Sequence, residues 1–290
     1  MIDDQRPGSP QFSSSTVSTG ISFKGQHAHE IMSTLPPVGW FEVHPENYMV
    51  EGGPRHAALT ALREQYPVSM HGVSLSLGGA EPVDSAQLAA LKALIRRYQP
   101  MCVSDHLAWC KASGHYLPDL LPLPLNEESL QQVCDNIGRT QDALGQQIFV
   151  ENPSSYLEFS QSDISEVEFL CAVASRTGCK LLLDVNNIYV SAENLGFSAQ
   201  DYIDKVPPEI IGEVHLAGHA LDTAAPERIL IDDHGSKVTD EVWSLFARLY
   251  ARFKSTQTVP VLVEWDTNVP TLEVLVNEAA KADQRISECR

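Results

Sequence analysis

The apolar residues of this chain gather into eight short runs that are rich in β-branched side chains and bounded by polar or turn-forming residues. Runs of this length and composition predict β-strands. The predicted strands are Ile21–Lys24, Gly39–Val43, Val68–His71, Met101–Asp105, Ile148–Glu151, Leu181–Asp184, Ile210–His215 and Val261–Glu264.

Longer segments between these strands carry apolar residues three or four positions apart, which predicts amphipathic helices. Residues that favour helix starts precede several of them, such as Asp84, Asn126 and Thr239. The clearest predicted helices are Ala57–Gln65, Ser85–Arg97, Glu127–Leu144, Ile164–Arg176, Asp240–Phe253 and Thr271–Ile286.

Strands that alternate with helices predict βα units and a parallel sheet. Eight units without a repeat or linker predict an α/β fold, a single (β/α)8 TIM barrel over residues 20–290, with its site at the strand C-termini. The alternative, an open doubly wound sheet, normally has a glycine-rich phosphate turn after its first strand, and none is found. Residues 1–19 are polar and rich in Ser and Thr, which predicts a disordered tail.

Composition narrows the classes of partner. Lys and Arg number 20 against 38 Asp and Glu, so the net charge is −18, and such an acidic surface disfavours nucleic acid. The chain has no apolar run long enough for a transmembrane helix and no signal-peptide core, so no membrane is expected. The six cysteines are scattered without a C-x-x-C pair, which predicts neither a disulfide framework nor a zinc ribbon and favours a reducing cytoplasm.

Imidazole and carboxylate side chains stand at the ends of six predicted strands, and the loops that follow two of them add carboxylate, imidazole and amide side chains. At the strand ends these are His71, Asp105, His106, Glu151, Asp184, His215 and Glu264. In the loops after the sixth and seventh strands they are Asn186, Asn187, Asp232, Asp233 and His234.

Taken singly, a strand-end histidine is more often structural than a ligand, and a lone buried acid more often caps a helix or forms an ion pair. Bringing Glu151, Asp184 and Glu264 together at one barrel mouth raises their pKa values and costs several kcal/mol. Cations remove that penalty, and mixed imidazole and carboxylate ligands suit iron, zinc or manganese. The joint pattern therefore predicts a metal cluster.

Longer motifs that contain these residues closely resemble the multinuclear non-haem iron-dependent oxidases, in the family's order, over about residues 20–282. The motifs are Gly39–Tyr48, His71–Gly78, Ser104–Trp109, Asp119–Pro124, Val150–Tyr156, Arg176–Ser191, His215–His219 and Glu264–Asp266. The resemblance implies a TIM barrel related to xylose isomerase and endonuclease IV, with two or three iron ions at the barrel mouth.

The resemblance also implies a set of ligands for each ion. The first iron position takes His71, His106 and Glu151. The second shares Glu151 and adds Asp184, His215 and Glu264. The third, partly occupied, takes Asn187, Asp232 and His234, and Asn187 replaces the histidine of the endonuclease relatives with a weaker amide ligand.

The implied activity is the O2-dependent oxidation of a cysteine in a ribosomally synthesised precursor peptide, with Glu151, Asp184 and His215 as the catalytic residues. One iron binds the substrate thiolate, the other activates O2, and a hydrogen leaves the cysteine β-carbon. Asp105, Asn152, Asn186 and His219 are expected to orient ligands or to donate to bound oxygen, and His44 and Glu46 to line the entrance. A small, separate peptide-recognition protein is the implied partner.

Two other classes of function stay open. One is a divalent-metal-dependent hydrolase or isomerase of the same superfamily; the acidic charge argues against a DNA enzyme, whereas a lysine near the site would favour a sugar isomerase. The other is a non-catalytic protein that buffers metal or binds a peptide. Iron content with O2 consumption separates the oxidase from both.

Overall fold

The structure is a computed structural model that describes residues 19–224, 228–254 and 257–289. Of the tail predicted over residues 1–19, all but Thr19 lies outside the described residues, and Thr19 begins the first strand. All six cysteines lie in the described part and carry free thiols, as their spacing predicts. No helix in the described ranges is long and apolar enough to cross a membrane.

Eight parallel strands close into one barrel, which confirms the predicted TIM-barrel fold. Each strand pairs with the next one in the chain, and the last pairs with the first. In chain order they are β1 Thr19–Ser22, β2 Phe41–Val43, β3 Val68–His71, β4 Val103–His106, β5 Phe149–Glu151, β6 Lys180–Asp184, β7 Ile211–Leu216 and β8 Val261–Val263.

The strand register brings the predicted site residues to one level of the barrel. His106 of β4 lies opposite Glu151 of β5, and Asp184 of β6 lies opposite His215 of β7. Glu264 directly follows the end of β8. Because the carboxyl ends of parallel strands share one face, these residues meet at the mouth of the barrel.

Nine α-helices surround the barrel in the described residues: α1 Ala28–Thr34, α2 Gly53–Gln65, α3 Ser85–Tyr98, α4 Glu127–Leu144, α5 Glu166–Thr177, α6 Val185–Leu195, α7 Ala199–Lys205, α8 Asp240–Tyr250 and α9 Leu272–Glu288. Six match the predicted helices to within a few residues. The predicted caps are present, since the side chains of Asp84, Asn126 and Thr239 accept backbone N–H groups of α3, α4 and α8.

The sequence predicts a loop after β6, and the structure has a helix there. Helix α6 begins at Val185, directly after the strand, and the carboxylate of Asp184 accepts the backbone N–H of Asn187 at 2.6 Å. Asp184 therefore caps the helix with one oxygen. This places Asn186 and Asn187 on a rigid first turn at the barrel mouth.

Two hairpins extend the loops after β4 and β7, and the apolar pattern predicted neither. Trp109–Ala112 pairs with His115–Leu121, and Ala220–Asp222 pairs with Ile229–Ile231. Their strands are largely exposed or half-buried, so they lack the continuous apolar run that marks a barrel strand.

Gly218 lets the loop after β7 pack closely against the segment that follows His234. A Cβ at this position would lie 2.3 Å from the backbone oxygen of Ser236 and 2.6 Å from that of Lys237. Backbone atoms cannot move aside as a flexible side chain can. Gly218 therefore fixes where the chain carrying His234 lies.

We expect Gly218→Ala to lower the free energy of unfolding by about 1–3 kcal/mol, because the added methyl forces the two backbone segments apart. Gly138→Ala is the matched control, since a Cβ there meets nothing within 4 Å and the position is inside helix α4. Alanine is preferred in a helix, so the control is expected to be neutral or slightly stabilising. Urea unfolding measures both, and equal stability of the two variants would contradict the packing argument.

Candidate metal centre

Three side chains from adjacent strands converge at a first position on the barrel mouth. Glu151 Oε2 lies 3.0 Å from His71 Nε2 and 3.1 Å from His106 Nε2. The two Nε2 atoms are 3.3 Å apart. Ligand atoms about 2.1 Å from a common ion stand about 3.0–3.4 Å from one another, so this triangle has the size of a metal coordination sphere.

The other ring nitrogens of both histidines are anchored by neutral groups. His71 Nδ1 lies 2.8 Å from the hydroxyl of Ser104, and His106 Nδ1 lies 3.1 Å from the carbonyl oxygen of Gly72. A carbonyl only accepts, so His106 Nδ1 carries the hydrogen and its Nε2 keeps a free lone pair. Such anchoring is typical of metal-binding histidines.

Glu151 also faces a second position with its other oxygen. Glu151 Oε1 is 4.0 Å from His215 Nδ1, which is 3.1 Å from Glu264 Oε2. Ligand atoms of Glu151, Asp184, His215 and Glu264 all lie within 4.8 Å of one another, and all four residues are buried. One carboxylate therefore stands between two groups of candidate ligands.

The residues of the implied third position lie against the second. His234 Nε2 is 2.7 Å from Asp232 Oδ1, and His234 Nδ1 is 3.4 Å from Glu264 Oε2. Asn187 donates its side-chain N–H to the Asn152 carbonyl at 3.1 Å, while its own Oδ1 is buried without a partner. His234 has a φ of 44°, a left-handed conformation that is costly for a side chain of this size and that clusters at functional sites.

At the first position, burial and the charges of neighbouring side chains shift the pKa values in opposite directions. Burial opposes ionisation of Glu151, but His106 and His71 hold its pKa below the usual value. Burial also opposes the imidazolium of His71, yet Glu151 raises the pKa of His71 to about 10. At His106 burial prevails and lowers the pKa.

Burial and neighbouring charges also determine the pKa values at the second position, where the shifts are large. Burial, with Glu151 and Asp232 nearby, raises the pKa of Asp184 well above its usual value. Burial opposes ionisation of Glu264 as well, but adjacent histidines hold its pKa well below the usual range. Of the three acids predicted to have raised pKa values, only Asp184 does, because histidines stabilise the charge of Glu151 and Glu264. Among the described residues, the ion-pair contacts of Glu151 and Glu264 are all with histidines, and no Lys or Arg pairs with them.

Several candidate ligands have a buried polar atom without a hydrogen-bond partner. These atoms are Glu151 Oε2, Asp184 Oδ2, Asn187 Oδ1 and His234 Nε2. Glu151 Oε2 lies within 3.1 Å of two ring nitrogens without the geometry of a hydrogen bond to either. An unpartnered buried polar atom costs about 1–3 kcal/mol. A cation at each position satisfies these atoms, and the residues fit metal binding.

Of the residues predicted to support the ligands, Asn152 and Asp105 form hydrogen bonds to backbone groups near the ligands. The Asn152 side chain bonds both the N–H and the carbonyl of Asp184, at 2.9 and 3.0 Å. Asp105 accepts the N–H groups of Leu75 and His106 and contacts no ligand ring by a hydrogen bond. Both residues fix the strand ends that carry the ligands.

Asn186 and His219 form a chain to the third position. Asn186 donates to Asp232 Oδ1 at 2.8 Å, and its side-chain oxygen lies 2.8 Å from His219 Nδ1. The pair therefore orients the carboxylate of Asp232 towards His234.

The predicted entrance residues have separate roles. Glu46 accepts the N–H of Val73 and the hydroxyl of Ser74, which ties down the loop after β3. His44 is half-buried and lies 3.9 Å from Asp266, which contacts His234 at 3.3 Å. Lys24 pairs with the same Asp266 at 2.7 Å, so a lysine does stand at the rim.

Sequence reasoning missed Ser104, Asp266 and two acids inside the barrel, Glu42 and Glu213. The signal for Glu213 was available, because it precedes His215 by two residues and strand side chains repeat with a period of two. Glu42 was detectable as a charged residue in the middle of an apolar run.

The fold and this cluster define a class: TIM barrels with buried histidines and carboxylates gathered at the carboxyl ends of the strands. Residues 18–287 match the family described as RiPP precursor modification enzyme MbnB/TglH/ChrH, where RiPP denotes a ribosomally synthesised and post-translationally modified peptide. The chain belongs to this family, which confirms the family predicted from its motifs.

Relatives of this chain include UPF0276 proteins from several bacteria. The protein of Caulobacter vibrioides (strain NA1000 / CB15N) is 47% identical over 267 residues, which cover 92% of this chain and 94% of the relative. That of Rhizobium meliloti (strain 1021) is 46% identical over 284 residues, which cover 97% and 91%.

Solved structures with low sequence identity share the fold. The 3-keto-D-glucoside 4-epimerase of E. coli has a TM-score of 0.60 at 13% identity and covers 92% of this chain and 99% of its own. A xylose isomerase-like TIM barrel protein of Mycobacterium smegmatis, in complex with magnesium, has a TM-score of 0.60 at 12% identity, with coverages of 91% and 89%. Endonuclease IV of Thermus thermophilus has a TM-score of 0.55 at 15% identity, with coverages of 93% and 99%.

We expect Glu151→Ala to empty both the first and the second position, because one oxygen of Glu151 faces each. His106→Ala removes a ligand from the first position only and is expected to empty that position alone. The iron content of protein reconstituted with Fe(II) under nitrogen, measured by plasma mass spectrometry, compares the two variants. An equal loss of iron in both would contradict the bridging role of Glu151.

Removal of metal by a chelator is expected to lower the melting temperature, and Fe(II) is expected to restore it. A ligand that binds only the native state at about a thousand times its Kd stabilises that state by about 4 kcal/mol. His71→Ala is the matched control, and chelator is expected to change its melting temperature less. A wild-type melting temperature indifferent to chelator and Fe(II) would contradict the metal centre.

Proposed function

We propose that this protein is a multinuclear non-haem iron-dependent oxidase that uses O2 to modify a cysteine in a ribosomally synthesised precursor peptide. The observation that carries the proposal is the placement of Glu151 between two groups of candidate ligands. A shared carboxylate suits two metal ions held side by side. Membership of a family of RiPP precursor modification enzymes supports a peptide as the substrate.

The residues divide into three unequal groups of candidate ligands. The first position offers two imidazoles and the shared Glu151, so it has few protein ligands and leaves room for a substrate atom. The second position adds Asp184, His215 and Glu264, and the third uses Asn187, Asp232 and His234. Carboxylate ligands stabilise a bound metal ion of high charge, and mixed imidazole and carboxylate ligands suit iron.

Bound iron would supply the oxidation of the cysteine by O2, a reaction that no side chain of the protein can carry out alone. The protein holds the ligands in fixed orientations, and the adjacent histidines favour the ionised form of Glu151 and Glu264. Glu151, Asp184 and His215 are the residues we assign to the reacting centre. Asn152 and Asn186 keep Asp184 and Asp232 in place through the hydrogen bonds described above.

A groove lined in part by the loops after β4 and β5 supports a peptide substrate. It has a volume of about 590 Å³ and includes Leu107 and Pro153, which directly follow His106 and Asn152. Leu157 and Phe197 on its wall are 50% and 39% exposed. Exposed apolar side chains in a groove are typical of a binding site, and the cysteine-containing peptide, presented by a small partner protein, is the occupant that we propose.

Co-expression tests the activity. The protein is produced with a small cysteine-containing peptide and a small partner protein encoded beside its gene, and the peptide is analysed by mass spectrometry. We expect a change in the peptide mass that requires air, that is absent with Glu151→Ala, and that is absent when the peptide cysteine is replaced by serine. The purified enzyme is expected to consume O2 only with the unmodified peptide.

An unchanged peptide mass in the presence of iron-loaded protein, partner and air would contradict the oxidase. Glu158→Gln serves as the control variant, because Glu158 is an exposed acid of the groove outside the metal centre. It is expected to keep the iron content of the wild type.

A metal-dependent isomerase is the second candidate, and Lys24 at the rim of the site favours it. The lysine is already paired with Asp266, which leaves it less available to act on a sugar. Zinc or manganese in the purified protein, with turnover that needs no O2, would favour the isomerase over the oxidase.

A further inference from the structure

Two buried carboxylates lie inside the barrel next to the candidate ligand His215. Glu42 is in the middle of β2, and Glu213 is in β7, two residues before His215. Their side chains, like that of His215, are almost completely buried, with exposed fractions of 3% for Glu42 and 0% for Glu213. The interior of a TIM barrel is normally filled by apolar residues, so this pair requires a physical reason.

The ring of His215 separates the pair from the metal centre. Its Nε2 lies 3.5 Å from Glu213 Oε1 and 3.6 Å from Glu42 Oε2. Its Nδ1 lies 3.1 Å from Glu264 Oε2 on the opposite side. One nitrogen therefore faces the second metal position, and the other faces the interior acids.

The interior acids are only partly satisfied by their neighbours. Ser69 donates to one oxygen of Glu42 at 2.9 Å, and Cys102 donates to one oxygen of Glu213 at 3.1 Å. The remaining oxygen of each acid, together with His215 Nε2, is buried without a hydrogen-bond partner. In the described part of the chain, His215 is the only residue that makes an ion-pair contact with either acid.

His215 differs in this respect from the histidines of the first position. Neutral oxygens of Ser104 and Gly72 anchor His71 and His106, and both rings present Nε2 to the ion. His215 faces carboxylates instead and presents Nδ1. A carboxylate on the far nitrogen orients a ligand ring, sets its tautomer and raises its basicity.

We propose that Glu42 and Glu213 are positioning residues for His215. Their negative charge, 3.5 and 3.6 Å from Nε2, favours the tautomer that carries its hydrogen there, which leaves the Nδ1 lone pair for the ion at the second position and strengthens binding there. This inference rests on the metal centre of the proposed function. It goes further by assigning a role at the second position to two residues that are not among its ligands.

Titration of the metal-free protein with Co(II) tests the proposal, with visible absorption to follow each binding step. His215→Ala and His71→Ala identify which step belongs to which position. We expect Glu213→Gln and Glu42→Gln each to weaken, by about 10–100-fold, the step that His215→Ala abolishes, and to alter its absorption bands. Ser104→Ala is the matched control and is expected to weaken only the step that His71→Ala abolishes.

Three outcomes overturn the proposal. Wild-type affinity at both steps in Glu42→Gln and Glu213→Gln shows that the acids do not act on His215. Loss of one whole ion with the other steps unchanged shows that the acids themselves form a metal site. If the wild-type protein binds no Co(II), the proposed metal centre is contradicted as well. This outcome differs from the first two, in which the wild-type protein still binds metal.

Melting curves of the metal-free variants control for misfolding. Where Glu213→Gln does not fold, Ser69→Ala removes the hydroxyl that orients Glu42 and is expected to weaken the same step by a smaller factor. An unchanged step in a folded Ser69→Ala variant and in Glu42→Gln overturns the proposal without Glu213→Gln.

Discussion

The structure depends on the neutralisation of buried negative charge at the mouth of the barrel. Glu151, Asp184 and Glu264 lie within a few ångströms of one another, almost fully out of water, without a Lys or Arg to pair with among the described residues. Isolated buried carboxylates cost several kcal/mol each. Histidines supply part of the compensating charge, and the unpartnered atoms that remain point to cations for the rest. The barrel tolerates this arrangement because its strands and helix caps fix every ligand in place.

The pattern of apolar residues predicted most of the fold. The barrel strands are almost entirely buried, so each appears as a short, mainly apolar run, and the residues at the strand ends could be identified directly as candidate ligands. The apolar pattern did not predict two features. One is the first turn of α6, whose start is set by the capping carboxylate of Asp184. The other is the pair of hairpins, whose strands are largely exposed or half-buried. The motifs implied which residues share an ion, whereas the distances that place Glu151 between the two positions are visible only in three dimensions.

The contacts of polar residues inside the barrel could not be predicted from the sequence either. A sequence shows that Glu42 and Glu213 lie in strands, but not that both meet one ring nitrogen of His215. That contact crosses the barrel interior between β2 and β7, which do not pair with each other. It links the interior of the barrel to the candidate ligands at its mouth. The fold itself is shared with sugar epimerases and an endonuclease, so the chemistry resides in these side chains and not in the barrel.

Anomalous X-ray diffraction at the iron absorption edge, on crystals of protein reconstituted with Fe(II), tests the central claim most directly. We expect one anomalous peak among His71, His106 and Glu151 and a second among Glu151, Asp184, His215 and Glu264. Crystals of reconstituted protein that show no iron peak at the barrel mouth, or a single peak that excludes Glu151, would contradict the central claim.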